Sequence, residues 1–206
     1  SMWLLVGLGN PGSAYAATRH NIGFMLMDSL RKDCGWSSWR KKFDGELADG
    51  ELGGSPVIAL KPQTFMNLSG MAVAAALRFY KLPPERVLVM HDDLDLPLAT
   101  MKLKIGGGNG GHNGLRNIEA HIGSLFWRLR LGIGRPADKA QVHDYVLSPF
   151  INAEKAELPA IFDRAARAIP WLLQGQADYA RNVLAHTPAQ SPSGGAGNTD
   201  STKPKG

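Results

Sequence analysis

Two short apolar runs, each followed at once by a glycine-rich or polar loop, place the strongest constraint on the fold of this chain. Residues 3–6 (Trp-Leu-Leu-Val) lead into a loop with several glycines, and residues 87–90 (Val-Leu-Val-Met) lead into His-Asp-Asp. An apolar run of four residues bounded by turn-forming residues is typical of a buried strand. We therefore expect two buried strands, each with a candidate functional loop at its end.

Helical patterns alternate with these strands along the chain. Amphipathic or Ala-rich segments predict helices over residues 22–32, 69–80, 114–122, 153–173 and 177–185, with Ser69 as the cap of the second helix. Further strands are predicted over residues 101–105 and 127–133, and a hairpin over residues 45–60 is predicted to turn at Gly53-Gly54. Strands interleaved with helices indicate an α/β fold around a mixed sheet.

Length and composition favour one domain. The chain has 206 residues, of which 44% are hydrophobic and 20% charged, as is usual for a globular protein. We assign residues 1–186 to this domain and predict that residues 187–206, which are rich in Pro, Gly and Ser, form a flexible tail. Cys34 is the only cysteine, so no internal disulfide can form. With no apolar run long enough for a bilayer and no leader pattern, we expect a cytoplasmic protein that does not bind membranes.

The charge balance is basic. Lys and Arg number 23 against 18 Asp and Glu, which gives a net charge of +5 and a pI near 9.4. A basic surface attracts polyanions such as nucleic acid, although a solvated surface without a partner can have the same charge. Local basic groups occur at residues 40–42, at Lys102 with Lys104, and at Arg128 with Arg130.

The loop after the first strand contains a candidate catalytic base. Asn10, Tyr15, Arg19, His20 and Asn21 gather on this loop. A neutral imidazole at the end of a strand could accept a proton near physiological pH. The glycines of the same loop formally match the dinucleotide fingerprint. However, the next helix is predicted to begin only at residue 22, so no helix N-terminus would face a pyrophosphate.

The loop after the second strand combines a histidine with carboxylates: His91, Asp92, Asp93 and Asp95. These residues could bind zinc or manganese. Alternatively, one carboxylate could fix the tautomer of another histidine, as in the acid–histidine pairs of hydrolases. The chain has no His-Glu-x-x-His motif and no paired cysteines. We therefore favour the second interpretation and expect no metal.

Two further segments precede predicted helices. Residues 106–114 hold so many glycines that a loop approached closely by a bulky ligand is favoured, with Asn113 presented just before the helix. In residues 62–70, we expect Met66 in the core, and Asn67 could be a helix cap.

Some remaining residues are assigned by their surroundings alone. His112 is a candidate member of the site, and residues 136–142 form a polar connector that predicts a mobile flap. The other histidines are expected to be structural or surface residues: His121, His143 and His186.

Four segments, taken together and in order, resemble the bacterial peptidyl-tRNA hydrolases: GLGNPGxxYxxTRHNxGF, FMNLSG, HDDLDLP and GGxGGHNGL. The resemblance extends from about residue 3 to residue 185. It implies a single α/β domain with a twisted mixed β-sheet flanked by helices, acting as a monomer without a cofactor. It also implies hydrolysis of the ester that joins a peptide to the 3′ ribose of tRNA, which recycles the tRNA.

The resemblance implies a role for each matching residue. His20 would be the base that takes a proton from the attacking water, Asp92 the carboxylate that orients it, and Asn10 the side chain that helps to distinguish blocked from free α-amino groups. Asn67 and Asn113 would contact the substrate and could polarise the ester carbonyl. The positions implied in binding the tRNA are Tyr15, Phe65, Lys102, Lys104 and Arg130.

One departure from the family pattern is Leu98-Ala99, where the family has Pro-Gly. It changes a turn near the site but removes no catalytic side chain. Neither Ser13 nor Cys34 lies in a nucleophile elbow, so direct attack by water is favoured over a covalent intermediate. Two alternative functions are a non-catalytic RNA-binding protein with the same fold and, on the glycine motif alone, a nucleotide-dependent oxidoreductase.

Overall fold

A seven-stranded mixed sheet forms the centre of the protein. The structure is a computed structural model and describes residues 1–186; the predicted tail over residues 187–206 lies outside the described residues. In spatial order the strands are β2, β3, β4, β1, β5, β7 and β6. Their bounds are β1 Trp3–Gly7, β2 Arg40–Lys42, β3 Gly45–Leu52, β4 Ser55–Pro62, β5 Val87–Asp93, β6 Met101–Ile105 and β7 Trp127–Gly132.

Seven α-helices accompany this sheet within the described residues. They are α1 Ile22–Cys34, α2 Ser69–Tyr80, α3 Asn113–Ile122, α4 Val142–Val146, α5 Asn152–Lys155, α6 Leu158–Leu173 and α7 Ala177–Ala185. The predicted α/β fold with a mixed sheet flanked by helices is confirmed. No helix in residues 1–186 has both the length and the apolar character needed to cross a membrane.

The direction of the strands fixes where a site can form. The four central strands β4, β1, β5 and β7 run parallel to one another. The pairs β2–β3, β3–β4 and β6–β7 are antiparallel. The carboxyl ends of the four parallel strands therefore lie at one edge of the sheet. This is the edge at which open α/β sheets bind ligands.

Alternation along β1 explains how the sheet is covered on both faces. Leu5 belongs to a core cluster with side chains of α1, α6 and α7, while Leu4 and Val6 pack on the opposite face with α2 and α3. All three side chains have no exposed surface. Because successive side chains of a strand point to opposite faces, an uninterrupted apolar run is what a strand covered on both sides requires.

Two details of the helices differ from the sequence-based expectation. The helix predicted over residues 153–173 is divided into α5 and α6, with Pro159 in the first turn of α6. Proline has no backbone N–H, which suits a first helical turn, where that N–H has no partner within the helix. Pro170 also lies within α6, in its last turn. Ser69 is the first residue of α2 and not its cap, because its hydroxyl donates to the Met66 carbonyl oxygen at 2.7 Å.

The connector over residues 136–142 also contains more structure than expected. A short 3-10 helix over Lys139–Gln141 leads directly into α4, with the Asp138 side chain accepting a hydrogen bond from the Ala140 N–H. The predicted hairpin is present, with β3 and β4 joined at Gly53-Gly54, and both of these glycines have positive φ angles.

Helix α1 approaches the sheet closely at Gly23. A Cβ atom at this position would collide with the carbonyl oxygen of Met90 and lie 2.7 Å from the Leu8 nitrogen. The Phe24 N–H donates to the Leu8 carbonyl oxygen at 3.3 Å, which holds the start of α1 against the end of β1. Only glycine allows this approach, and it brings the turn before α1 to the functional edge of the sheet.

We predict that Gly23→Ala pushes α1 away from β1 and β5. Forcing extra volume into a packed site typically costs about 1–3 kcal/mol, and the midpoint of urea unfolding should fall accordingly. Gly108→Ala is the control, because a Cβ there meets no atom within 4 Å and the φ angle is not positive. Equal unfolding midpoints for the two variants would contradict the close approach.

Candidate active site

A cavity of about 620 Å³ opens at the carboxyl ends of β1 and β5. Eight of the predicted site residues line it: Asn10, His20, Phe65, Asn67, Asp92, Lys104, Asn113 and Arg130. Two others lie outside its wall. Tyr15 packs edge-on against Phe65 with ring centroids 6.5 Å apart, and Lys102 is two residues from Lys104 in β6. The structure thus brings together residues that are far apart in the chain.

His20 and Asp92 form the central pair of this cavity. The His20 Nδ1 atom lies 2.8 Å from Asp92 Oδ2, and the side chain of Asp92 is only 3% exposed. Burial lowers the pKa of His20, but the charge and the hydrogen bond of Asp92 outweigh burial and raise the pKa above its ordinary value. Burial acts to raise the pKa of Asp92, and the facing His20 and His112 hold it well below its usual range instead.

The turn that carries His20 is anchored by its neighbour Arg19. The Arg19 guanidinium donates to Glu154 at 2.9 Å and to the Tyr145 carbonyl oxygen at 3.2 Å, and it lies 4.1 Å from the centre of the Tyr145 ring. The Arg19 N–H also donates to the Ser148 carbonyl oxygen. Because Arg19 does not line the cavity, it fixes the backbone beside His20 without placing its charge in the cavity.

Two more histidines surround Asp92. His112 Nε2 lies 2.8 Å from Asp92 Oδ1, so each carboxylate oxygen contacts one imidazole. His91 is buried beside them, and its Nδ1 lies 2.8 Å from the Asp92 carbonyl oxygen. Burial and the nearby His112 lower the pKa of His91 to about 3, so His91 is neutral at physiological pH. Sequence reasoning named His112 only as a candidate, because its approach to Asp92 depends on tertiary packing.

Asn10 is held in one orientation by the backbone around it. Its Oδ1 accepts the Met66 N–H at 2.8 Å, and its own N–H donates to Asn21 Oδ1 at 2.8 Å. The Asn21 amide donates back to the Asn10 carbonyl oxygen at 2.9 Å. With Oδ1 occupied, the Nδ2 hydrogens of Asn10 are the groups that remain for a ligand in the cavity.

The other two asparagines are free to bind. Within residues 1–186, the side chains of Asn67 and Asn113 make no hydrogen bond, and both are exposed at the cavity. Asn67 lies in the 3-10 turn before α2 and does not cap that helix. Met66, beside it, is buried in the core as expected.

The cations at the outer edge of the sheet divide into paired and unpaired groups. Arg130 in β7 donates to Asp93 at 2.7 Å, and Lys102 and Lys104 in β6 lie across from Arg130 and Arg128. In the described part of the chain, neither lysine forms an ion pair. Burial and the neighbouring Arg130 and Arg128 guanidinium groups lower the pKa of Lys104. Like charges placed across from each other are unfavourable unless an anion binds between them.

Arg128 does not belong to the basic surface that the sequence predicted. Its side chain is 0% exposed, and it bonds Glu119 of α3 at 3.0 Å and the Gly108 carbonyl oxygen at 2.6 Å. Glu119 in turn accepts the Asn109 amide at 3.2 Å. Arg128 therefore anchors the glycine-rich loop to the sheet and is not available to a polyanion.

His143 and the Leu98-Ala99 turn complete the surroundings. His143 lines the cavity from α4, whereas the sequence predicted a structural or surface residue. Ala99 has a φ angle of 75°, a left-handed conformation that the glycine of the family pattern adopts without strain. Its carbonyl oxygen accepts a hydrogen bond from Arg164, which holds the turn in place.

The His20, Asp92 and His112 side chains form the one group in the described residues whose ligand atoms lie close enough to bind a metal ion. Their hydrogen bonds favour a different use. His112 Nδ1 accepts the N–H groups of Gly114 and Leu115, so the ring hydrogen is on Nε2 and points to Asp92. A metal at Nε2 would displace that hydrogen, and a metal-free site stays the prediction.

The chain matches a known protein family over nearly the whole of its described length. The family model described as peptidyl-tRNA hydrolase matches residues 4–191. The chain belongs to the peptidyl-tRNA hydrolase family.

Relatives in this family cover nearly all of the chain. A protein named peptidyl-tRNA hydrolase from Azorhizobium caulinodans is 51% identical over 181 residues, which are 88% of this chain and 89% of that protein. Its counterpart from Sinorhizobium fredii is 50% identical over 184 residues, covering 89% and 77%. A crystal structure of peptidyl-tRNA hydrolase from Acinetobacter baumannii shares the fold with a TM-score of 0.86 and 42% identity, covering 91% of this chain and 96% of that one. The resemblance expected from the four motifs is confirmed.

Membership of the peptidyl-tRNA hydrolase family also decides between the alternatives for the glycine motif. No α-helix begins within the glycine motif, because a 3-10 turn over Arg19–Asn21 follows the loop and α1 begins only at Ile22. The chain is a hydrolase, and the oxidoreductase hypothesis has neither the family nor the local geometry in its favour.

Proposed function

We propose that this enzyme hydrolyses the ester between a peptide, or an N-blocked aminoacyl group, and the 3′ ribose of tRNA. The observation that carries the proposal is the His20–Asp92 pair at the cavity wall. Donation of the Nδ1 hydrogen to Asp92 leaves the lone pair on Nε2, the atom that can accept a proton from water. The relatives named peptidyl-tRNA hydrolase support the same substrate.

The proposed reaction needs one proton carrier. The water oxygen attacks the acyl carbon while His20 Nε2 takes its proton, and Asp92 stabilises the imidazolium that forms. The bond to the ribose 3′ oxygen then breaks, and that oxygen takes the proton from His20. The products are a free peptide and a tRNA with its 3′ hydroxyl restored. Asn67 and Asn113 are amide donors that could contact the substrate and the developing oxyanion.

The fixed orientation of Asn10 supports its role in choosing the substrate. Its Nδ2 hydrogens can donate to the carbonyl oxygen of an acylated amino group. Its Oδ1 is already directed at the Met66 N–H, which leaves it less able to accept from a free α-ammonium group. Asn10 therefore favours blocked over free aminoacyl groups by hydrogen-bond polarity.

Binding of the tRNA is assigned to the residues around the cavity mouth. Lys102 and Lys104 would contact phosphates, with Arg130 beside them, and the edge-on pair Tyr15 and Phe65 would contact the tRNA end. Phosphate contacts supply affinity with little sequence preference. A monomeric, cytoplasmic enzyme without a cofactor stays the prediction from the sequence.

We predict that His20→Ala loses at least about 10²-fold in the hydrolysis of N-acetyl-aminoacyl-tRNA, the usual contribution of a general base. The assay is run with a chelator throughout, and His121→Ala is the control because His121 is exposed and bonds only the Asn117 carbonyl oxygen of its own helix. Equal cleavage by wild type and His20→Ala would refute this mechanism. A wild type that binds tRNA without cleaving it would favour the RNA-binding alternative.

The pH dependence of kcat/KM in the same assay tests the His20–Asp92 pair. Since neutral His20 is required and its pKa is raised above 6.5, kcat/KM should fall as the pH drops through a value above 6.5. In Asp92→Asn the group that raises this pKa is gone, so the acid limb should move to lower pH while the maximal rate falls.

We predict that Asn10→Asp reverses part of the substrate preference. The variant keeps the oxygen that accepts the Met66 N–H, but an anionic oxygen replaces the donor at a buried position, so its unfolding midpoint should fall and folding is checked alongside activity. The measurement is kcat/KM for N-acetyl-aminoacyl-tRNA and for free aminoacyl-tRNA. The first should fall by about 10²-fold, and the ratio of the two should shift toward the free substrate. An unchanged ratio would remove Asn10 from this role.

We predict that the double variant Lys102→Ala, Lys104→Ala binds tRNA more weakly and with less salt dependence. The slope of log affinity against log salt should decrease by about 0.7–0.9 for each phosphate that the variant no longer neutralises. Lys41→Ala is the matched control, because Lys41 is an exposed cation in β2, at the opposite edge of the sheet. A slope that changes equally in both variants would contradict a specific phosphate site.

A further inference from the structure

His112 uses both ring nitrogens in contacts that belong to different parts of the fold. On one side, it is the residue that caps α3: its Nδ1 lies 3.1 Å from the Gly114 nitrogen and 3.3 Å from the Leu115 nitrogen. On the other side, its Nε2 lies 2.8 Å from Asp92 Oδ1. Only 10% of the His112 side chain is exposed.

These contacts fix the ring hydrogen. Two backbone N–H groups point at Nδ1, so this atom must be an acceptor and carries no hydrogen. The single hydrogen of the neutral ring is then on Nε2, where it can be donated to the carboxylate. The Asp92 carboxylate therefore accepts from two imidazoles of opposite tautomer, with His20 donating from Nδ1 and His112 from Nε2.

The position of Asn113 gives this arrangement a consequence for the reaction. Asn113 is the first residue of α3, directly after the cap, and its side chain lines the cavity without a partner among the described residues. Arg128 anchors the preceding glycine-rich loop through the Gly108 carbonyl oxygen and α3 through Glu119. The His112 ring adds the connection between the first turn of α3, which carries Asn113, and the Asp92 carboxylate.

We propose that His112 is a positioning residue that joins the base-orienting carboxylate Asp92 to the substrate-binding start of α3. It holds Asp92 through Nε2 and, through Nδ1, the first turn of α3 that carries Asn113. The kinetic part of this inference rests on the proposed hydrolysis by His20, whereas the tautomer does not.

Removal of the hydrogen bond from His112 Nε2 should change the pKa of His20 in a defined direction. Without the His112 hydrogen bond, the charge of Asp92 acts on His20 alone, so the pKa of His20 rises further and the base is protonated at a higher pH. The other ionisable groups that line the cavity are unchanged by substitution at position 112, as is Arg19, which pairs with Glu154. They are Asp93 and His91 from β5, Arg130 from β7, Lys104 from β6, His143 from α4, and the paired Asp95 and Arg135.

The first test is the tautomer itself, read from nitrogen–proton correlation spectra of the histidine rings in the folded enzyme. We expect His112 to carry its hydrogen on Nε2, with Nδ1 at the resonance position of an unprotonated ring nitrogen, and His20 to carry its hydrogen on Nδ1. A hydrogen on His112 Nδ1 would overturn the proposal whatever the enzyme's substrate.

The second test separates the two roles of the ring with two variants. In His112→Asn the side-chain oxygen can still cap α3, since Asn is a preferred cap, but the donor to Asp92 is removed. We expect an unfolding midpoint near that of wild type, an unchanged KM, a kcat lower by about five- to tenfold, and an acid limb at higher pH. In His112→Ala the cap is removed as well, so the midpoint falls and KM rises.

Three results would overturn the proposal. If His112→Asn kept the kcat and the pH profile of wild type, the proposed role toward Asp92 would be refuted. If the unfolding midpoint fell equally in both variants, the proposed role as a cap would be refuted. If both variants lost stability but kept the wild-type kcat, KM and pH profile, His112 would be merely structural. If wild type failed to hydrolyse N-acetyl-aminoacyl-tRNA, the proposed function would fail while the tautomer test still stood.

Discussion

The buried carboxylate of Asp92 is the group on which the rest of the site depends. A charge removed from water is costly unless it is hydrogen-bonded and paired, and here both oxygens are satisfied by imidazoles, His20 on one side and His112 on the other. Satisfying this one group therefore fixes two ring orientations at once. It also ties the turn before α1 and the start of α3 to the end of β5, which brings His20 and Asn113 to one cavity.

Close packing brings these elements within reach. Gly23 lets α1 lie against β1 and β5, and Arg19 attaches the same turn to the segment around Glu154. On the outer side of the sheet, Arg128 links β7, α3 and the glycine-rich loop. The cations that remain unpaired there in residues 1–186, Lys102 and Lys104, are those at the outer rim. A buried, paired cation and exposed, unpaired cations thus stand on neighbouring positions of two adjacent strands.

Much of the fold was predictable because its signals are local. The apolar run of β1 and the hairpin turn at Gly53-Gly54 follow from patterns of a few residues. The family resemblance brought His20 and Asp92 together before any geometry was available. Pro159 is a sequence signal for the start of a new helix, but the continuous helical pattern around it led to the prediction of one helix over residues 153–173. The burial of Arg128 and the bond between His112 and Asp92 could not be predicted, because each depends on partners from other elements that only the folded sheet brings close.

The order of the strands has a consequence for when the cluster around Asp92 can assemble during synthesis. The bond between His20 and Asp92 joins residues 72 positions apart, and β5 lies between β1 and β7, which comes later still in the chain. His112, the second partner of the carboxylate, follows Asp92 by 20 positions. A chain growing on the ribosome therefore cannot complete this cluster until residue 112 has been synthesised.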